Sequence, residues 1–189
     1  MGTIEIIAQV MGFFGMIFIS MSYLFKQQRT LIICQMFGSA FFFLNFLFLG
    51  IAEGTILIGT FMNLIGIFRA IVFSNKEKFH ADSPWWLVGF ISTYLISYVL
   101  LFTVMGAKPT VPNLLSEILP VIAMTSSSIA FFKKDAKSTR LYSFITSPSW
   151  LAYDIISGSI GGILTESISL VSIVVGVLKH DIKKNVKKQ

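Results

Sequence analysis

The chain has 189 residues, of which 54% are hydrophobic and only 13% are charged, and its mean hydropathy is +0.79. A soluble domain carries about 25% charged residues, so this composition excludes an ordinary soluble protein and indicates a bilayer as the solvent. A membrane helix needs about 20 mostly apolar residues, and the apolar runs of this chain leave only short loops between them.

Seven apolar runs predict an all-α integral membrane protein with seven transmembrane helices. We place these spans at residues 4–25, 31–49, 55–73, 85–105, 114–132, 141–157 and 163–178. A signal peptide begins with a basic segment, but the first basic residue is Lys26, so we expect the first run to be a retained helix. The sixth span is the most polar. A spanning helix that faces protein or a water-filled cavity is the preferred interpretation, and a re-entrant segment is the alternative.

The basic residues predict the orientation of the spans. Fourteen of the fifteen lysines and arginines lie on one side, in the loops after spans one, three and five, in the C-terminal tail and at Arg69, and the other side holds only Lys108. Short cytoplasmic loops are enriched in positive charge, so we expect the N-terminus outside and the C-terminus in the cytoplasm. The net charge of +6 then reflects topology and contact with the lipid bilayer, and no nucleic-acid partner is expected. Arg69 is expected to snorkel to the cytoplasmic headgroups.

The order of the spans predicts an internal repeat. Spans one to three and five to seven share one series of orientations, which is typical of parallel repeats related by an axis along the membrane normal. We therefore divide the chain into a first three-helix unit at 1–80, a linker helix at 81–110 and a second three-helix unit with a basic tail at 111–189. A shift of 108 residues pairs Gly50 with Gly158, Gly54 with Gly162, and Phe42 with Trp150.

Two spans carry small and polar residues on one helix face. The face in span three holds Gly59, Asn63, Gly66 and Ala70, and the face in span seven holds Glu166, Ser169, Ser172 and Gly176. We expect the two faces to point toward each other or toward a central path. Helix packing through small residues is the alternative. A buried amide such as that of Asn63 needs partners, and a solute is one candidate partner.

Two carboxylates lie one to two turns inside their spans, Asp154 in span six and Glu166 in span seven. Ionisable groups within the membrane are functional candidates, and acidic residues form proton relays in pumps and transporters. Both residues are therefore candidates for proton coupling, which predicts that transport depends on external pH. Solvation of the two carboxylates at the membrane interface is the alternative.

Several segments resemble the YgjV-type bacterial inner-membrane proteins. They are the stretch 9–69, with Gln35, Leu49-Gly50 and residues 63–69, then Leu-Pro-Val-Ile at 119–122 and Gly-Ser-Ile-Gly-Gly at 158–162 followed by Glu166. That family is similar to the SWEET, PQ-loop and PnuC transporters, a resemblance that implies a three-plus-one-plus-three helix plan. Asn63 and Gly66 resemble the Asn-x-x-Gly of the third SWEET helix, where the asparagine contacts sugar. Trp150 and Tyr153 resemble a Trp-x-x-Tyr in the sixth helix.

The leading hypothesis is a small-solute transporter or facilitator that works by alternating access at a central polar site. Asn63, Ser172 and Trp150 would bind the solute. The candidates for helix bending are Gly66, Pro120 and Pro148. The spans offer amides and hydroxyls but no fixed positive charge at mid-membrane, which favours a neutral or cationic polar solute over an anion.

A non-transporting membrane scaffold or sensor on the same framework is the alternative function. An enzyme is not expected, because the spans contain no paired aspartates, no serine–histidine pair and no cluster of metal ligands. For the same reason the sequence implies neither a cofactor nor a metal.

Overall fold

The apolar runs fold into helices throughout the computed structural model, which describes residues 2–133 and 135–178. In chain order the helices are α1 (Thr3–Ser22), α2 (Gln28–Glu53), α3 (Ile58–Ser74), α4 (Lys76–Phe79), α5 (Pro84–Thr103), α6 (Val111–Phe132), α7 (Ala136–Ile156) and α8 (Ile160–Gly176). No strand occurs in the two described ranges, which confirms the all-helical prediction. The predicted cytoplasmic lysines at 134 and 179–188 lie outside the described residues.

Local sequence explains where several helices begin and end. Pro84 lies in the first turn of α5, where a missing backbone N–H costs nothing. Gly54 ends α2 at φ 66°, in the left-handed region that glycine adopts without strain. Asp135 caps α7, since its carboxylate accepts hydrogen bonds from the N–H and the hydroxyl of Ser138 at 2.7 and 2.8 Å. Desolvation raises the pKa of Asp135, but these hydrogen bonds and the charge of Lys137 lower that pKa overall.

Four helices are long and apolar enough to cross a membrane, namely α1, α2, α5 and α6. The apolar helices α3 and α8 have 17 residues each, or about 26 Å, against about 30 Å for the hydrocarbon core of a bilayer. The helix α7 is one continuous helix of 21 residues, longer than the span predicted at 141–157, but it is too polar to qualify by composition. Length and composition alone therefore support four of the seven predicted spans.

Six long helices pack into a closed ring. In this ring α2 lies between α1 and α3, and α7 lies between α6 and α8, while α1 contacts α8 and α3 contacts α6. The helix α5 packs outside the ring against α3 and α6. Large apolar side chains stay exposed on the outer faces, such as Leu64, Phe68 and Val171. Such extended apolar surfaces are rare in proteins that face water.

Three basic connections lie at the same end of the bundle, which we call the basic end. The Gln28 amide and the Lys76 ammonium both donate to the Lys133 carbonyl, at 2.6 and 2.9 Å, and Arg29 donates to the Asn75 side chain at 3.2 Å. These contacts join the loops that follow α1, α3 and α6. The loops therefore meet on one side of the bundle, as the predicted alternation of the spans requires.

Candidate functional site

A cavity of about 60 Å³ lies between the helices of the ring. Its polar lining consists of Tyr23, Gln35, Ser39, Asn63, Arg69, Ser127, Thr146, Asp154 and Glu166. Aromatic side chains complete the wall, among them Phe42, Phe46, Phe131 and Trp150. Pockets for drug-sized ligands measure about 300–1,000 Å³, so this conformation has room for a small molecule or a few waters.

Five residues chosen from the sequence line this one cavity, namely Asn63, Gly66, Trp150, Asp154 and Glu166. The remaining three do not line it. Ser172 is half-buried on α8, while Pro120 and Pro148 lie within α6 and α7. Solute contact, proton coupling and helix bending stay predictions for all eight residues.

The polar face of α3 is buried between other helices, with Asn63 directed at the cavity. The Asn63 amide donates to the Gly59 carbonyl one turn earlier at 2.9 Å, which leaves its side-chain oxygen for another partner. A Cβ at Gly59 would come within 2.8 Å of the Phe46 ring and 3.0 Å of the Tyr153 ring. The glycine therefore serves close helix packing, whereas the asparagine presents a polar group to the cavity.

Arg69 does not reach the headgroups, so the prediction that it snorkels is wrong. The side chain is 5% exposed and lines the cavity. Its Nη1 donates to the Met124 carbonyl at 3.1 Å and to the hydroxyls of Ser127 and Ser128, while the guanidinium carbon lies 4.5 Å from the centre of the Phe131 ring. Cation–π contact adds to these bonds. A positive charge therefore lines the cavity, which was not expected from the sequence.

The two predicted carboxylates are buried, at 3% exposure for Asp154 and 8% for Glu166, and are not solvated at the interface. The Asp154 carboxyl group packs against Gly162, where a Cβ would come within 2.3 Å of it. Glu166 lies beside the Ser147 hydroxyl and interacts electrostatically with Asp154. One oxygen of each carboxylate, Asp154 Oδ1 and Glu166 Oε2, has no hydrogen-bond partner among the described residues.

Within the described ranges, no cluster of histidine, cysteine or acidic side chains has the makings of a metal site. The arrangement instead places one guanidinium, two carboxylates and two amides around a single small cavity. Such a lining can hold a polar solute through charge and hydrogen bonds.

A family model of Imp-YgjV, described as a bacterial inner membrane protein, matches residues 6–184. The chain belongs to the Imp-YgjV family. The resemblance to the YgjV-type proteins is thereby confirmed, and the protein is a bacterial inner-membrane protein. The match includes every residue that lines the cavity. Comparison with curated proteins and with solved structures gave no match.

The turn between α7 and α8 shows why this Imp-YgjV protein has a run of small residues there. Gly158 adopts φ 68°, a conformation that favours glycine. The Ser159 hydroxyl caps α8 by accepting from the N–H three residues later at 3.2 Å, and it donates to Asn45 Oδ1 at 2.8 Å. A Cβ at Gly161 would come within 2.5 Å of the carbonyl carbon of Gly12 in α1. The turn therefore brings α8 into backbone contact with α1.

Gln9 and Asn45 tie this turn to α1, although neither residue stands out in the sequence. Gln9 accepts from the Ile160 N–H at 3.0 Å and donates to the Gly158 carbonyl at 3.1 Å. Asn45 donates to the Ala8 carbonyl at 2.8 Å. Their amides are used by protein partners, and we interpret both residues as structural. In the sequence, the only sign of this role is that Gln9 and Asn45 are polar residues within apolar runs.

Proposed function

We propose that this Imp-YgjV protein is a small-solute transporter or facilitator that works by alternating access, with the central cavity as its binding site. One cavity brings together Asn63, Arg69, Asp154 and Glu166, and this observation carries the proposal. Ionisable residues within a membrane are costly and mark solute or ion pathways. Buried polar atoms are nearly always hydrogen-bonded, so the unpartnered carboxylate oxygens favour a site that receives a ligand.

The proposal includes seven spanning helices, of which α7 is the critical case. After its first turn, which carries the exposed Lys137, the exposed large side chains of α7 are apolar, namely Leu141, Phe144, Ile145, Ile155 and Ile156. Its buried polar side chains include Ser143, Thr146, Ser147 and Asp154. This distribution suits a helix that has lipid on one side and a polar cavity on the other. Slight thinning of the bilayer accommodates the shorter α3 and α8.

We further propose the three-plus-one-plus-three plan of SWEET-like transporters, with α1–α3 and α6–α8 as the units and α5 as the linker. The first helices of the two units begin at Thr3 and Val111, 108 residues apart, which is the shift that pairs the glycines. A two-fold axis relating the units would exchange the contact of α1 with α8 for the contact of α3 with α6, and both contacts are present. Rocking of the units would expose the cavity to each side in turn.

We propose that the basic end faces the cytoplasm and that the N-terminus is outside, because short cytoplasmic loops are enriched in positive charge. Single cysteines at Lys26 and Lys108, each in a Cys34→Ser background, test this orientation. A membrane-impermeant maleimide added to intact cells should label Lys108→Cys but not Lys26→Cys. Permeabilised cells, in which both sites should react, provide the control, and the reverse pattern in intact cells would overturn the orientation.

The solute is proposed to be small and polar, and to pass without chemical conversion. Arg69 in the lining removes the reason to prefer a neutral or cationic solute over an anion. The cavity volume of about 60 Å³ favours a molecule with few heavy atoms, unless rocking of the two units enlarges the site.

A binding screen followed by uptake tests the transport proposal. Purified protein would be screened for thermal stabilisation by small polar metabolites, since a ligand stabilises the state that it binds. Solutes that raise the Tm would then be assayed for uptake into proteoliposomes. Asn63→Ala should abolish both effects, while Leu64→Ala is a matched control because Leu64 is 50% exposed on the lipid side. If no solute is both bound and taken up, the scaffold or sensor alternative replaces transport.

A further inference from the structure

Arg69 is a buried cation that has no carboxylate partner among the described residues. Its Nη1 bonds only to a carbonyl and two hydroxyls, those of Met124, Ser127 and Ser128. The Nε atom is buried with no hydrogen-bond partner in the described part of the chain. A buried charge is expensive unless it is paired and hydrogen-bonded. Acceptors from α6 and the Tyr94 hydroxyl therefore hold part of the guanidinium, and the donors that they do not engage, Nε–H among them, are left for a ligand in the cavity.

The two carboxylates in the same cavity also lack a cationic partner among the described residues. Asp154 and Glu166 each keep one buried oxygen unpartnered. The described groups that interact with them are each other, the Ser147 hydroxyl and the phenols of Tyr23 and Tyr153, with no cation among them. Two neighbouring carboxylates repel each other when both are ionised. A proton or the cationic group of a solute would relieve that repulsion.

The cavity therefore holds one cation and a pair of carboxylates that are not neutralised by each other. A lone anion bound to Arg69 would leave the acidic pair uncompensated, and a lone cation would leave Arg69 uncompensated. A solute that carries both charges serves both groups, and a proton shared by Asp154 and Glu166 balances the remaining charge. Phe46 and Trp150 stack with ring centres 6.0 Å apart and line the same cavity, where aromatic faces attract an ammonium group.

We propose that the cavity binds a small zwitterion, with its carboxylate on Arg69 and its ammonium group at the Asp154–Glu166 pair. This inference rests on the proposed function and adds the class of solute. Arginine holds a carboxylate through two parallel N–H bonds, which the donors not fixed by α6 can provide. The side-chain oxygen of Asn63, which its own helix leaves unused, gives the ammonium group a further acceptor.

A charge-matched series of probes tests the proposal on the full-length purified protein. The zwitterions are glycine, β-alanine and 4-aminobutanoate, which differ in the separation of their charges, and the singly charged or neutral probes are acetate, methylammonium and acetamide. At least one zwitterion should raise the Tm by roughly 3–6 °C at about ten times its Kd. Acetate, methylammonium and acetamide should each raise the Tm by less at the same concentration.

Two variants make the test independent of folding. Arg69→Gln should abolish stabilisation by the zwitterion and make methylammonium the better probe, while the double variant Asp154→Asn with Glu166→Gln should make acetate the better probe. Arg29→Gln is the matched control, since Arg29 is exposed at the basic end and should keep the zwitterion response. An exchange of charge preference cannot result from unfolding.

Two outcomes would overturn the inference. One is that no zwitterion raises the Tm, and the other is that acetate raises it as much as the best zwitterion. If acetamide or another uncharged solute is bound and taken up in a manner that depends on Asn63, the transport proposal stands while the zwitterion fails. The two proposals therefore fail by different results.

Discussion

The contact between Gly12 and Gly161 closes the helix ring, and an added methyl group there should open it. A Cβ at Gly161 would lie 2.5 Å from the carbonyl carbon of Gly12, 2.7 Å from its Cα and 2.9 Å from its oxygen. All three are backbone atoms, so no side chain can rotate away from the methyl group. Gly161→Ala must therefore move α8 away from α1 or shift one helix along the other.

The expected cost follows from two opposing effects. Overpacking a well-packed contact costs about 1–3 kcal/mol, while alanine is a better helix former than glycine by about 0.5–1 kcal/mol. The net loss in the free energy of unfolding should be about 1–2 kcal/mol. For a chain of this size that corresponds to a fall of roughly 2–8 °C in the Tm.

Thermal unfolding in detergent, followed by circular dichroism, provides the assay. Gly89→Ala is the matched control, because no atom of another element lies within 4 Å of a Cβ at that position in α5, and its Tm should stay level or rise. The Tm of Gly12→Ala should fall between those of the two variants, since a Cβ at Gly12 would lie 3.0 Å from the Asn45 amide nitrogen and 3.2 Å from the Gly161 Cα, both longer than the contacts of a Cβ at Gly161. A Gly161→Ala protein as stable as Gly89→Ala would refute the close approach of α1 and α8.

Three further predictions concern charge. Asp135→Ala should lower the free energy of unfolding by about 1 kcal/mol through loss of the α7 cap, while Asp135→Asn should stay close to wild type. Because the pKa of Asp135 is lowered in the folded protein, the stability that its charge contributes is complete above the unfolded pKa and disappears as pH falls through the folded pKa. Thermal unfolding measured against pH would show this loss. Gly162→Ala should displace the Asp154 carboxylate and lower the affinity for any cavity ligand measured by titration calorimetry, and a second change, Asp154→Ala, should recover the lost stability but not the affinity. Transport should depend on external pH, and Glu166→Gln should weaken that dependence in proteoliposome uptake; an unchanged pH profile in the double variant with Asp154→Asn would exclude proton coupling through this pair.

The helices themselves could be predicted from hydropathy because a bilayer leaves the backbone few choices. Every N–H and C=O in the hydrocarbon region needs an internal partner, and a helix supplies it. The start of α7 was the largest error, since the helix begins at Ala136 and not at 141. Its first turn is polar, and hydropathy does not register the Asp135 cap that starts the helix.

Residues that line the cavity could be predicted from the sequence where a polar residue interrupts an apolar run. Asn63, Asp154 and Glu166 all line the cavity, because a buried polar group in a membrane helix needs a polar neighbour. Ser172 shares the face of Glu166 but does not line the cavity. Helical periodicity predicts the face on which a residue lies. It does not predict where along the helix the neighbouring helices leave a cavity, because that depends on their packing.

Arg69 shows the opposite case, because its depth along α3 and its helix face favour different places for the side chain. Its place near the end of α3 favoured snorkelling, but the buried face of that helix runs through Asn63 and Gly66, and Arg69 follows Gly66 by three residues. The exposed side belongs to Leu64 and Phe68, at 50% and 54% exposure. An arginine on the buried face can reach headgroups only by crossing the packed interior. It is therefore held by acceptors from α6 that lie more than 50 positions away along the chain, and helix face should take precedence over depth for any basic residue within one or two turns of a helix end.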